Sequence, residues 1–190
     1  DGLTRTEEGI ERDRMVCTAC GECVEACPTG AMEKLGTEWD VDALVSELVK
    51  DRAYFEKSGG GVTLSGGEPS LQPTFTLELL RELKSRGVAT ALDTCGLCAW
   101  ETLETLAEEA DIVLYDLKLI DGAEHEKWTG VGNARILENL KRLGGAVKGS
   151  GKRLWIRTPL IPGATVSEGN LQGISAFLAE NLPDAVERWE

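Results

Sequence analysis

Four of the chain's six cysteines stand within eleven positions of one another, and their spacing constrains the fold more than any other feature. Cys17, Cys20, Cys23 and Cys27 follow the pattern C-x-x-C-x-x-C-x-x-x-C, and Pro28 comes directly after the last of them. This is the bacterial ferredoxin pattern for a [4Fe–4S] cluster. Structural zinc sites rarely repeat two-residue spacings in this way, so a zinc site is the weaker alternative.

The last cysteine of this run indicates that a second run is needed. In ferredoxins with two such runs, the cysteine before proline binds the cluster of the other run. Cys27 is therefore expected to join cysteines from elsewhere, and the other three need a fourth ligand. The two remaining cysteines, Cys95 and Cys98, lie far along the chain. We therefore expect another cysteine run upstream of Asp1, so that the sequence is a fragment of a longer protein.

Composition and charge exclude several classes of protein. Of the 190 residues, 42% are apolar and 28% charged, as in globular proteins. The net charge of −13 argues against a nucleic-acid partner, because phosphate binding requires a basic surface. No apolar run approaches the roughly 18 residues that a membrane-spanning helix needs. We therefore expect a cytoplasmic protein without a membrane partner, in which clustered thiols stay reduced.

The remainder of the chain alternates strand and helix patterns. A helical apolar period runs from Val41 to Phe55 after Asp40, a possible N-cap. Four short apolar strands follow, each with a helical pattern after it, at 62–64, 88–92, 112–115 and 154–156. Glycines end the helical patterns, with Gly144 and Gly145 expected to end the third. This alternation predicts an α/β fold with a parallel sheet and flanking helices, whose polar post-strand segments meet at the carboxyl edge. Residues 1–38 are expected to form a separate, incomplete ferredoxin-like insert, and 39–190 the α/β part.

Several segments together resemble one family. The cysteine run is followed by GGGVTLSGGEP at 59–69, DTCG at 93–96, DLK at 116–118 and WIRTPLIPG at 155–163. In this order and spacing, they resemble the activating enzymes of glycyl-radical enzymes, which are radical S-adenosylmethionine (SAM) proteins of the pyruvate formate-lyase activating enzyme type. The resemblance extends over the chain from Val16 onward and indicates the subgroup with a ferredoxin-like insert.

The resemblance implies a fold, an activity and partners. It implies a partial (β/α) barrel, and [4Fe–4S] clusters and SAM as cofactors. SAM is cleaved reductively, and the resulting 5′-deoxyadenosyl radical removes hydrogen from a glycine of a partner glycyl-radical enzyme. Flavodoxin or ferredoxin is the implied electron donor. The family's C-x-x-x-C-x-x-C run, which holds the SAM cluster, is absent here, so the fragment alone is expected to be inactive. Residues 185–190 resemble the start of a further barrel strand, so both ends are expected to be cut.

The same resemblance assigns the segment after the first strand to SAM. Gly66, Gly67 and Glu68 correspond to the segment that receives the amino group of SAM. A backbone carbonyl beside a bare glycine can reach an ammonium without interference from a side chain. Glu68 would add negative charge or fix the turn. An ordinary strand-to-helix turn is the alternative for this segment.

Polar residues after the later strands complete the candidate site. Lys118 is expected to pair with the SAM carboxylate, and Asp116 to bind ribose or a monovalent cation, while Leu117 points to the opposite side. Asp93 is expected near the methionine end of SAM, sharing that cation with Asp116. Arg157 would bind the SAM carboxylate or the partner's peptide loop through its planar fork. Surface ion pairs are the alternative for these side chains.

Three other residues receive structural interpretations. We interpret Cys95 and Cys98 as small buried side chains rather than as a redox pair. His125, among charged neighbours, is expected to be solvated.

A competing hypothesis for the whole chain is a ferredoxin-like electron carrier with an α/β docking module. Binding of SAM distinguishes the two hypotheses, because a carrier has no use for an amino-acid pocket.

Overall fold

The computed structural model describes residues 2–190, which separate into two compact units on either side of the Trp39–Asp40 bond. We call the first the cysteine unit and the second the sheet unit.

The cysteine unit begins with a two-stranded antiparallel hairpin that the sequence patterns did not predict. Strand β1 (Leu3–Thr6) pairs with β2 (Gly9–Arg12). Residues 13–27, which carry the four cysteines and are called the cysteine loop below, follow and include a single helical turn, α1 (Glu22–Glu25). None of the described residues 2–39 is buried. A unit this small that lacks a core generally depends on metals, disulfides or association for its stability.

The sheet unit contains one parallel sheet, which confirms the expected α/β class. Its strands are β3 (Gly61–Leu64), β4 (Ala89–Thr94), β5 (Ile112–Asp116), β6 (Arg153–Arg157) and β7 (Arg188–Trp189). They lie side by side in chain order. Right-handed crossovers between consecutive neighbours bring all the connecting helices to one face, as in (β/α) barrels. The short β7 is the further strand that residues 185–190 were expected to begin.

In the sheet unit, two helices precede β3 and five lie between its strands. They are α2 (Val41–Leu48), α3 (Arg52–Ser58), α4 (Pro73–Ser85), α5 (Trp100–Glu109), α6 (Gly122–Thr129), α7 (Ala134–Val147) and α8 (Glu168–Asn181). Asp40 caps α2 by accepting from the Ala43 amide at 2.8 Å. The helix expected from residue 41 to residue 55 is interrupted by a 3₁₀ turn, Val49–Asp51, and α6 was not predicted. Among the described helices, none has both the length and the apolar character that crossing a membrane requires.

The expected end of α7 at its glycine pair was wrong. The helix continues through Gly144 and Gly145 to Val147. A Cβ atom on Gly144 would lie 2.8 Å from Cδ2 of Leu182, which follows α8. This glycine therefore permits α7 to pack closely against that segment, and it does not act as a helix stop.

The core of the sheet unit lies between the sheet and its helices. The first of its two clusters packs α2, α4 and β4 together, and includes Val45, Leu80, Leu83 and Leu92. The second packs β5 and β6 against α5, α7 and α8, and includes Leu103, Tyr115, Leu140, Leu154, Ile156 and Ile174. Burial alternates along β5 and β6. One face of these strands is therefore fixed against helices, and the polar carboxyl edge is held on a rigid support.

Candidate functional site

The segment after β3 brings bare backbone to the carboxyl edge of the sheet. Gly66 has a φ of 115°, a conformation that favours glycine. A Cβ atom built on Gly66 or on Gly67 meets no atom within 4 Å. The backbone of both residues therefore borders open space, and this geometry fits a ligand that binds to main-chain carbonyls.

Glu68 joins this segment to the end of β4. One carboxylate oxygen accepts from the Thr94 hydroxyl at 2.7 Å and from the Ser70 amide at 3.2 Å, and the other from the Cys95 amide at 2.9 Å. Partial burial acts to raise the pKa of Glu68, but these hydrogen bonds outweigh it and lower the pKa. Of its two anticipated roles, this geometry corresponds to fixing the turn.

Replacing Glu68 by Gln tests this clamp through the pH dependence of stability. A carboxylate with a lowered pKa stabilises the fold above its ordinary pKa of 4.5, and this contribution disappears as the pH falls through the lowered value. We expect E68Q to cost about 2 kcal/mol of unfolding free energy at pH 7, because an amide NH2 would face a donor. Below about pH 4 the difference from wild type should shrink. Thermal unfolding from pH 3 to pH 7 measures this, with the exposed Glu78→Gln as control.

Asp93 and Arg157 connect three strand ends. One oxygen of Asp93 accepts from the Ser65 hydroxyl at 2.8 Å and from Nη1 of Arg157 at 2.9 Å. The nearby Asp93 carboxylate raises the pKa of Arg157 further, so the guanidinium stays charged. Ser65 was not among the predicted site residues, although its position just before two glycines of the motif was an available signal. The monovalent cation beside Asp93 and Asp116 stays a prediction, and Arg157 already brings positive charge to Asp93.

The end of β5 contributes a second ion pair. Nζ of Lys118 lies 2.7 Å from Oδ2 of Asp116, and both side chains are partly exposed. Leu117 between them is fully buried in the core, so the two charged side chains and the leucine point to opposite sides. Lys118 thus presents an ammonium at the carboxyl edge of the sheet.

The structure gives Cys95, Cys98 and His125 structural surroundings. Burial raises the pKa of Cys95 to about 11 and also raises that of Cys98, so both thiols stay protonated at neutral pH and are poor nucleophiles. Both are half-buried. The expectation of a solvated His125 was wrong. Its side chain is buried, and Nδ1 lies 2.7 Å from the Val131 carbonyl, a contact that joins α6 to the loop after it.

The cysteine loop brings three of its four thiols to one cavity. Cys17, Cys20 and Cys23 line one cavity, and Cys27 is not among the residues that line it. Ala19 and Gly21 have φ values of 57° and 85°. Left-handed residues that alternate with right-handed ones turn successive amides inward, and such nests hold anionic iron–sulfur clusters. The residues present therefore fit a [4Fe–4S] cluster.

Two further observations bear on this metal centre. A hydrogen bond with the Thr29 side chain is the main influence that lowers the pKa of Cys27 to about 7, which favours the thiolate that iron requires. Within residues 2–190, no three His, Cys, Asp or Glu side chains converge tightly enough for a single ion. In a [4Fe–4S] cluster each cysteine binds a different iron. The cysteine sulfurs around a cluster therefore lie farther apart than the ligands of a single metal ion.

Comparison with known proteins matches both units. Residues 25–170 match the model of the radical SAM superfamily, and residues 10–33 match that of a 4Fe-4S binding domain. The chain is 40% identical over 182 residues to an isethionate sulfite-lyase activating enzyme of Oleidesulfovibrio alaskensis. The aligned residues cover 95% of this chain and 58% of that protein. It is 44% identical over 186 residues to a trans-4-hydroxy-L-proline dehydratase activating enzyme of Clostridioides difficile, covering 82% of this chain and 60% of that protein.

A solved structure agrees with these relatives. A domain of pyruvate-formate lyase-activating enzyme from Bacteroides vulgatus superposes with a TM-score of 0.62 at 35% identity, over 68% of this chain and 78% of that domain. The chain spans less than two thirds of the length of the two curated relatives. The two family models together cover both the cysteine loop and the carboxyl edge of the sheet.

Proposed function

The chain belongs to the radical SAM superfamily, among activating enzymes of glycyl-radical enzymes, and we propose that the protein carrying it is such an activating enzyme. It binds SAM at the carboxyl edge of the sheet unit and cleaves it reductively. It then removes hydrogen from a glycine of a partner glycyl-radical enzyme. We propose reduced flavodoxin or ferredoxin as the electron donor and the cytoplasm as the location, where thiol ligands stay reduced.

The observation that carries this proposal is the meeting of bare backbone and paired charges at one edge. Gly66 and Gly67 place bare backbone beside open space after β3, and Lys118 places an ammonium after β5, two strands along the same edge. An amino-acid ligand has one group for each, because its ammonium binds to carbonyl oxygens and its carboxylate to a cation. SAM carries such a methionine end.

The residues of this chain then have separate roles. When bound, SAM and a reduced [4Fe–4S] cluster supply a 5′-deoxyadenosyl radical. Glu68 holds the glycine segment in position through Thr94 and the Cys95 amide. Asp116 orients Lys118 or binds ribose, and it remains a candidate ligand of a monovalent cation together with Asp93. Arg157 is paired with Asp93 and has spare donors for the SAM carboxylate or for the partner's peptide.

Binding of SAM to the protein that carries this chain tests the proposal. We expect the reconstituted protein to bind SAM anaerobically and to release 5′-deoxyadenosine with dithionite. Lys118→Ala should weaken SAM binding about 10- to 100-fold, because it removes a charged hydrogen bond. Lys127→Ala, which removes an exposed ammonium of α6, is the matched control. If calorimetry detects no SAM affinity in the wild type, the electron-carrier hypothesis replaces this one.

A further inference from the structure

The segment that carries Lys118 lies beyond the strand and lacks regular structure of its own. Residues 117–120 belong to neither a helix nor a strand. Leu117 and Leu119 are nevertheless buried, with 0% and 3% of their surfaces exposed. Backbone groups withdrawn from water in this way must find partners within the protein. The Leu117 amide still donates to the Arg157 carbonyl at 2.9 Å, as in the sheet. The other backbone groups of residues 117–120 lie past the end of β6 and need other partners.

Buried side chains from three other parts of the chain supply those partners. The Thr158 hydroxyl donates to the Leu117 carbonyl at 2.8 Å. The Asn133 amide donates to the carbonyls of Leu119 and Ile120, at 2.9 Å each. Between these, the carbonyl of Lys118 itself receives its hydrogen bond from Asn170, at 3.0 Å. The position of Lys118 is therefore fixed by side chains remote in sequence.

Asn170 makes the most extensive of these contacts. It lies in the first turn of α8, and 6% of its surface is exposed. Its Nδ2 donates to the carbonyls of Lys118 and Thr165, and its Oδ1 accepts from the Ile120 amide at 2.9 Å. One buried amide thus uses both donors and its acceptor to join the segment after β5 to the segment after β6.

We propose that Asn170 is a positioning residue that holds the Lys118 ammonium where it meets the carboxylate of an amino-acid ligand. Asn170 does not touch that ligand and acts through the backbone on both sides of Lys118. The inference rests on the proposed function, since it takes Lys118 to bind the SAM carboxylate. It adds a determinant of SAM affinity that lies outside the motif segments.

The chemistry of asparagine is specific to this position. Aspartate has nearly the same shape but only acceptor oxygens when ionised, so it would face the carbonyls of Lys118 and Thr165 without a donor. Alanine removes all three side-chain bonds and leaves buried backbone groups without a hydrogen-bond partner, which is unfavourable. Either change should free the segment at 117–120.

The test combines ligand-free hydrogen exchange with a double-mutant cycle, in the reconstituted protein that carries this chain. Without SAM, we expect Asn170→Ala to accelerate exchange of the Ile120 amide at least tenfold. With SAM, we expect N170A to weaken binding about tenfold and K118A about 10- to 100-fold. The double variant should bind SAM no more than about twofold more weakly than K118A, because Asn170 acts through Lys118. Asn181→Ala, at the other end of α8, is the control.

The outcomes separate this inference from the proposed function. Wild-type protein that does not bind SAM overturns both. If K118A weakens binding but N170A does not, or if the two losses multiply in the double variant, Asn170 is a structural residue only and the inference fails while the function stands. If N170A does not fold, Asn170→Ser, whose small hydroxyl is itself a donor and an acceptor, takes its place in the same cycle, with measurements made well below its unfolding temperature.

Discussion

Loss of the iron–sulfur cluster is expected to unfold the cysteine unit and to leave the sheet unit folded. None of residues 2–39 is buried, whereas the sheet unit has two apolar clusters. The hairpin also depends on the cysteine loop, because the Asp13 amide donates to the Gly2 carbonyl and the Cys17 amide to the Asp13 carbonyl. A small unit without a core derives much of its folding free energy from its metal.

Cys20→Ala, in the reconstituted protein, provides the measurement. We expect loss of one cluster's iron and visible absorbance, and exchange of the β1–β2 amides at least about 100-fold faster than in wild type. Amides of β4 and β5 should keep their protection. Cys98→Ala is the matched control, since it removes a thiol from the sheet unit and should leave the iron content unchanged. A protected hairpin in iron-free C20A would contradict the prediction.

The parts of the structure that the sequence predicts well are those encoded over short distances. The cysteine spacing lies within one loop, and the structure lines a single cavity with Cys17, Cys20 and Cys23. Alternation of strand and helix patterns, with right-handed crossovers, suffices to predict a parallel sheet with polar carboxyl ends. Asp40 as the cap of α2 is equally local.

The parts that the sequence does not predict depend on contacts between distant positions. Arg157 reaches Asp93 across 64 positions, and Asn170 reaches the Lys118 carbonyl across 52. The spacing of apolar residues does not predict such a pair. A buried polar residue interrupts that spacing, but the sequence does not indicate which distant residue it contacts. Gly144 illustrates the same limit, since a glycine that ends a helix and one that admits Leu182 are identical in sequence.

Replacing two glycines of the same motif by alanine is expected to have opposite effects. One replacement should lower stability, and the other should lower SAM affinity. A Cβ atom on Gly61 would lie 1.9 Å from the carbonyl oxygen of Ala89, its register partner on β4. Backbone atoms cannot rotate away, so β3 must shift or separate. We expect Gly61→Ala to cost about 3 kcal/mol, comparable with overpacking a core. For a chain of this size, that corresponds to a fall of about 6–12 °C in the melting temperature.

Gly67→Ala should spare the fold and impair the site. Its Cβ atom meets nothing within 4 Å, and its φ is not in the left-handed region, so we expect stability within about 0.5 kcal/mol of wild type. The added methyl group extends into the open space where we propose that the SAM ammonium binds, and SAM affinity should fall about tenfold or more. Thermal unfolding and anaerobic calorimetry on both variants separate the effects. SAM affinity unchanged in G67A would remove the glycine pair from the ligand site, and an unchanged melting temperature in G61A would contradict the β3–β4 register.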